Sequence, residues 1–154
     1  MSVLITDGWQ MQWRRVERGF EKLSQTYNNT ELYDDDVYHF FQDAWHLKDW
    51  IKNDPEVPEE VRDRIEESIA VVRAFRIAAD FANGTKHMAL NRPREESARF
   101  TERKVTIMLG GGHGQAVQER VLTLADGSKT TTEAMAAEVM QEWHSLLRQF
   151  RLLP

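Results

Sequence analysis

Four times along this chain, apolar residues recur at the spacing of a helix face, and that repetition constrains the fold more than any other feature. Trp9, Trp13, Val16, Phe20, Leu23 and Tyr27 are separated by 4, 3, 4, 3 and 4 positions. This spacing lines them on one side of a helix over about 9–28, with Arg14, Arg15, Glu17, Arg18, Glu21 and Lys22 elsewhere on its surface. Asn28-Asn29-Thr30 ends the segment. A second face, Val37, Phe40, Phe41, Ala44, Trp45, Leu47 and Ile51, predicts a helix over about 34–53 that starts in Asp34-Asp35-Asp36. After the break at Asp54-Pro55-Glu56-Val57-Pro58, Pro58 and Glu59-Glu60 read as the first turn of a third helix, about 58–83. Its stripe is Val61, Ile65, Ile69, Val72, Phe75 and Ala79, and Asn83-Gly84 is the expected stop, because glycine adopts the left-handed conformation of helix C-caps. Thr130-x-x-Glu133 has the form of a capping box before a last helix over about 131–150, whose stripe is Ala136, Met140, Trp143, Leu147 and Phe150.

Between the third and last helices the period changes. Arg103–Leu109 and Gln115–Leu124 are rich in β-branched residues and partly alternate, with Gly110-Gly111-Gly112-His113-Gly114 between them. A β-hairpin over about 103–125 with a glycine-rich tip follows, and Asp126-Gly127 marks a further turn. The expected class is α+β, mainly α: an antiparallel helical bundle with a β-hairpin inserted before the C-terminal helix. At 154 residues, one domain spanning 1–154 is expected, since two cores would be unusually small. All five tryptophans lie on the helices, and Trp9, Trp13, Trp45 and Trp143 fall on apolar stripes, which assigns them to the core.

The residue inventory removes whole classes of chemistry. There is no cysteine, hence no disulfide, thiol nucleophile, thiolate-held zinc or iron–sulfur site. Mean hydropathy is −0.60 and no apolar run approaches the length of a membrane span. The first residues lack the basic and apolar regions of a signal peptide, so a cytoplasmic location is expected. The net charge of −5 is uneven: residues 31–67 hold 13 acids against 4 bases, while residues 68–154 hold 9 acids against 12 bases. That balance argues against a wholesale nucleic-acid binder but leaves room for a local basic segment, Arg92, Arg94, Arg99, Arg103 and Lys104, facing RNA.

Two polar stripes stand out. Arg73, Arg76, Asp80, Asn83 and His87 are spaced 3, 4, 3 and 4, and His39, Asp43, His46, Asp49 and Asn53 are spaced 4, 3, 3 and 4. Each set shares a helix face if its helix runs that far. A plain solvated face tends to be Glu and Lys, whereas His, Asp, Asn and Arg are the residues of proton transfer and phosphodiester chemistry. The same residues serve equally as a buried structural network, provided every polar group is satisfied. A metal site is a further alternative: His46-x-x-Asp49 puts two ligands one turn apart, and Asp80, His87 and His39 supply more nitrogen and oxygen donors for a divalent ion. The chain has no Glu-x-x-His pair of the di-iron bundles. The glycine-rich tip lacks the Gly-Lys-Ser/Thr ending of a phosphate loop, and there is no Gly-x-Ser-x-Gly of a serine hydrolase.

The strings His46-Leu47-Lys48-Asp49-Trp50-Ile51-Lys52-Asn53-Asp54 and Asp80-Phe81-Ala82-Asn83-Gly84-Thr85-Lys86-His87 resemble a paired HxxDWIKND and DxxNGxKH pattern of a small bacterial and phage-linked family. Leu124-Ala125-Asp126-Gly127 and Trp143 match the strand, glycine turn and Trp-centred helix with which that family ends, so the resemblance extends loosely over 33–154. It implies no particular activity. More distantly, Asn83-x-x-x-His87 resembles the RNxxxH-like motif of HEPN-type helical bundles, whose RNA-cleaving members use the His in proton transfer and the Arg to stabilise phosphate charge. Here Ala82 precedes the Asn, so Arg76 or Lys86 would have to supply that cation. Two functions are therefore carried forward. One is a non-catalytic interaction or scaffold domain, self-associating as a homo-oligomer. The other is a HEPN-like RNA-binding or RNA-cleaving protein of a defence or toxin-type locus, which as an enzyme would cut RNA without a metal through His87, with Asn83, Asp80, Lys86 and Arg76 beside it. A metal-binding bundle using His46, Asp49, Asp80 and His87 ranks behind both.

Overall fold

A computed structural model describes residues 8–23, 30–86, 99–110, 113–124 and 126–154, of which 30–32, 84–86, 99–110 and 113–120 are described in backbone only. Five helices, α1 (Gly8–Leu23), α2 (Thr30–Asn53), α3 (Glu59–Ala70), α4 (Arg73–Lys86) and α5 (Thr132–Gln149), pack together. Three strands, β1 (Arg99–Gly110), β2 (His113–Thr123) and β3 (Lys129–Thr131), precede α5. The architecture is a mainly helical α+β bundle with a hairpin before its last helix. No helix among the described residues is long and apolar enough to cross a membrane.

The 24-residue α2 is the axle, in contact with α1, α3, α4 and α5. It buries Val37, Phe40, Phe41, Ala44, Leu47 and Ile51 completely, as its stripe requires, and leaves Trp45 half-buried. Around it the core is aromatic. Phe41 stacks on Phe81 of α4 with centroids 4.3 Å apart, and Phe75 of α4 meets Trp143 of α5 at 4.7 Å. Buried polar ends find partners rather than solvent: Trp143 Nε1 donates to the Ala44 carbonyl at 3.0 Å, and the Tyr33 and Thr132 hydroxyls bond at 3.0 Å.

The start of α1 is held from a distance. The Trp9 N–H donates to Asp54 Oδ2 at 2.9 Å, and the other Asp54 oxygen accepts from the Glu56 N–H at 2.9 Å. One carboxylate thus caps α1 and shapes the turn after α2. The fit dictates glycine at position 8. Its φ is +57°, and a Cβ there would sit 2.1 Å from Asp54 Oδ2.

Several boundaries differ from expectation. The third apolar stripe is two helices, α3 and α4, separated at Val71-Val72 with no Gly or Pro. Consecutive β-branched valines weaken the helix there, and the Val72 N–H turns back to the Ile69 carbonyl at 3.2 Å. The expected stop at Asn83-Gly84 is passed, because α4 is buried along Ala74–Ala82 apart from Arg76, and packing outweighs the roughly 1 kcal/mol that a helical glycine costs. Helix α2 starts at Thr30, so Asp34–Asp36 lie inside it, where Asp36 pairs with Lys22 of α1 at 3.2 Å. The cap of α5 is Thr131 rather than Thr130, its hydroxyl accepting from the Ala134 N–H at 3.1 Å. Pro58 is the N-cap of α3, its carbonyl accepting from Val61 and Arg62. The expected end of the first helix, with Tyr27, lies outside the described residues.

The hairpin is longer than expected and gains a third strand at its base. β1 and β2 pair antiparallel from Arg99↔Thr123 to Gly110↔His113, with an irregularity between Phe100 and Glu102. Only Val121, Leu122 and Thr123 of β2 also pair with β3. Leu122 and Leu124 are buried at this base, where β2 packs on α5.

Candidate functional site

The two polar stripes follow their helices but part company in burial. On α2, His39, His46 and Asn53 are exposed, with Asp43 and Asp49 between surface and interior. Asp43 turns toward α1, where its carbonyl and Oδ1 accept from Gln12 Nε2 at 2.9 and 3.2 Å. Gln12 is itself buried, and its side-chain Oε1 accepts from Arg15 Nη1 at 2.7 Å. Asp49 pairs with Lys48 at 2.5 Å, and the Asn53 amide donates to the Asp49 carbonyl at 2.7 Å. Asp43 therefore serves the α1–α2 joint, and Asp49 and Asn53 the end of α2.

On α4 the direction is opposite. Asp80 is buried at 6% exposure, Asn83 is half-buried, and Arg73 reaches the exposed Asp126 at 3.7 Å. Asp126 holds the turn into β3: its Oδ1 accepts from the Ser128 hydroxyl at 2.5 Å and from the Ser128 N–H at 2.9 Å. These two bonds, with a smaller contribution from Arg73, keep its carboxyl below the ordinary value.

Among the described residues, no three or more of His, Asp and Glu are grouped so as to hold a metal ion. His87 lies outside the described residues, as do the side chain of Lys86 and residues Arg92 and Arg94. Arg99, Arg103 and Lys104 lie on β1, opposite Thr123, Arg120 and Glu119 respectively.

Arg76 has a setting that stripe reasoning does not anticipate. At the α3–α4 break it donates to the Ala70 carbonyl at 3.4 Å and borders a cavity of about 440 Å³. The other walls are Trp45 and Lys48 from α2 and Glu66, Ile69 and Ala70 from α3. Lys48 Nζ stands 4.8 Å from the Trp45 ring centre and 3.8 Å from Glu66, whose other oxygen takes Lys52 at 3.2 Å. Trp45 and Lys48 are three apart on α2, whereas Arg76 joins them from beyond the break between α3 and α4, a juxtaposition that no spacing in the sequence announces.

Comparison with known proteins returned no matching family model, no matching curated protein and no matching solved structure.

Proposed function

We propose that this chain is a non-catalytic interaction module that self-associates through the β1–β2 ribbon. The observation that carries this reading is the unequal support of the ladder. It runs from Arg99↔Thr123 to Gly110↔His113, yet β3 backs only Val121–Thr123 of β2. Among the described residues no further strand pairs with the ladder above its base. A two-stranded ribbon is marginal in water without a further strand or a covering layer, and an unpaired edge offers backbone donors and acceptors to another strand. A second copy supplies such a strand with the same chemistry. The split between exposed His39 and His46 and buried Asp80 fits the same reading, in which the polar stripes serve helix joints and the interior. Sedimentation of the full chain over a wide concentration range tests it, beside a variant in which residues 104–119 are replaced by Asn-Gly to close the ladder at Arg103↔Arg120. The full chain is expected to associate and the shortened one to remain a monomer with the same melting temperature. A full chain that is monomeric throughout overturns the reading.

One observation favours RNA as a second reading. Arg103 and Arg120 stand opposite each other in the ladder, with Arg99 and Lys104 on the same strand. Basic residues at facing register positions are the composition that a phosphate backbone complements. Binding of a mixed RNA pool that weakens steeply with salt and is lost in Arg103→Gln/Arg120→Gln supports it. Cleavage that disappears in His87→Ala would extend it to a ribonuclease.

A further inference from the structure

We infer that the cavity at the α3–α4 break is a binding site for a small organic anion: a flat apolar body bearing one carboxylate. Its volume of about 440 Å³ lies in the range of small-molecule pockets, and its lining has the usual mixture of apolar wall and few convergent polar groups. Ile69, Ala70 and the half-buried Trp45 provide the apolar wall. Two cations enter from different helices, Lys48 from α2 and Arg76 from α4. Both are positioned before any ligand arrives. The Lys48 side chain is only 12% exposed and lies over the Trp45 ring between Asp49 and Glu66. Arg76 is anchored to the Ala70 carbonyl, at the last residue of α3. Such preorganisation lowers the ordering cost of binding.

The charge balance selects the ligand class. A guanidinium fork matches a planar carboxylate through two parallel hydrogen bonds. Glu66 in the same wall opposes a doubly charged group, which disfavours inorganic phosphate and favours a single negative charge. The apolar wall would be wasted on a bare inorganic ion. Beside the cavity, the break leaves Val71 76% exposed, adjacent in sequence to the lining residue Ala70.

The test is calorimetric titration of the full chain with benzoate, 2-naphthoate and indole-3-acetate, with 2-naphthylmethanol and inorganic phosphate as comparators. At least one carboxylate is expected to bind one-to-one, with a Kd below about 1 mM. Phosphate and the uncharged alcohol are expected to bind at least tenfold more weakly. Arg76→Gln should weaken the carboxylate at least tenfold, and Arg76→Lys, which keeps the charge and loses the fork, by less. Ala70→Trp, at an exposed position, should block the cavity and abolish binding without lowering the melting temperature. Arg18→Gln, away from the cavity, should change nothing. Absence of binding by all three carboxylates, equal binding of the alcohol, or binding unaltered in both Arg76→Gln and Ala70→Trp overturns the inference.

Discussion

The helical body and the β1–β2 ribbon are built on different terms. In the body, contacts join residues far apart in sequence: Trp143 reaches Ala44, Tyr33 reaches Thr132, and Asp54 reaches Trp9. In the ribbon, pairing is between neighbours across one turn, and among the residues whose side chains are described, Leu122 and Leu124 tie its base to the helices. Long-range apolar contacts make a body cooperative, because no helix can leave without opening the others. A ribbon held by local pairing can change length without disturbing what lies beneath. On that contrast, the body is expected to set the melting temperature.

Substitutions rank that difference. The largest loss is expected at Trp143, fully buried against Phe75 and hydrogen-bonded to α2. Trp143→Ala should cost roughly 3–5 kcal/mol, lowering melting by about 10 °C for a chain of this length, as differential scanning calorimetry would show. Gly8→Ala comes next. The left-handed backbone and the collision with Asp54 should cost about 1–3 kcal/mol. Combined with Asp54→Ala it should cost less than the sum of the two, since both break one cap. Full additivity in that cycle would show that the cap does not couple them. Asp80→Ala removes a buried carboxylate and should cost about 1–3 kcal/mol. An unchanged melting temperature there would remove Asp80 from the structural network.

Smaller effects follow at the margin between the two regions. Asp126 is exposed and its pKa is lowered in the folded state, so its contribution is present above the unfolded carboxylate pKa of about 4 and fades as pH falls through the lower folded value. Asp126→Asn should therefore lower melting slightly at neutral pH and leave it unchanged at strongly acidic pH. The smallest effect on melting is expected from replacing residues 104–119 with Asn-Gly. If that shortening melts the helices earlier, the ribbon belongs to the cooperative body and the contrast fails.

Much of the body was legible because an amphipathic helix writes its period directly into the sequence. The stripes through Trp9–Leu23, Val37–Ile51 and Ala136–Leu147 are the faces that the structure buries. The division of α3 from α4 was hidden because Val71 and Val72 carry no Gly or Pro signal, and Val72 prolongs the apolar stripe across the break. The polar stripes show a second limit. Spacing places His46 with His39, and Asp80 with Arg76, on one face each, but which face meets solvent depends on where neighbouring helices pack. α2 turns His39 and His46 outward, while α4, covered by α2, α3 and α5, encloses Asp80. The cavity beside Arg76 was equally hidden, since its walls come from α2 and from both sides of the break at Val71-Val72.

The clasp between Asp54 and Trp9 also sets an order of events during synthesis. The first turn of α1 is secured by a carboxylate 45 positions later, and a 16-residue helix is marginal alone in water. As the chain emerges from the ribosome, α1 remains a frayed segment until all of α2 and the turn behind it have followed. Helix α1 is made before α2 and completed after it. At usual elongation rates of about 5–20 residues per second, that leaves it waiting for seconds. Until then Trp9 and Trp13 lack the contacts that bury them in the folded chain.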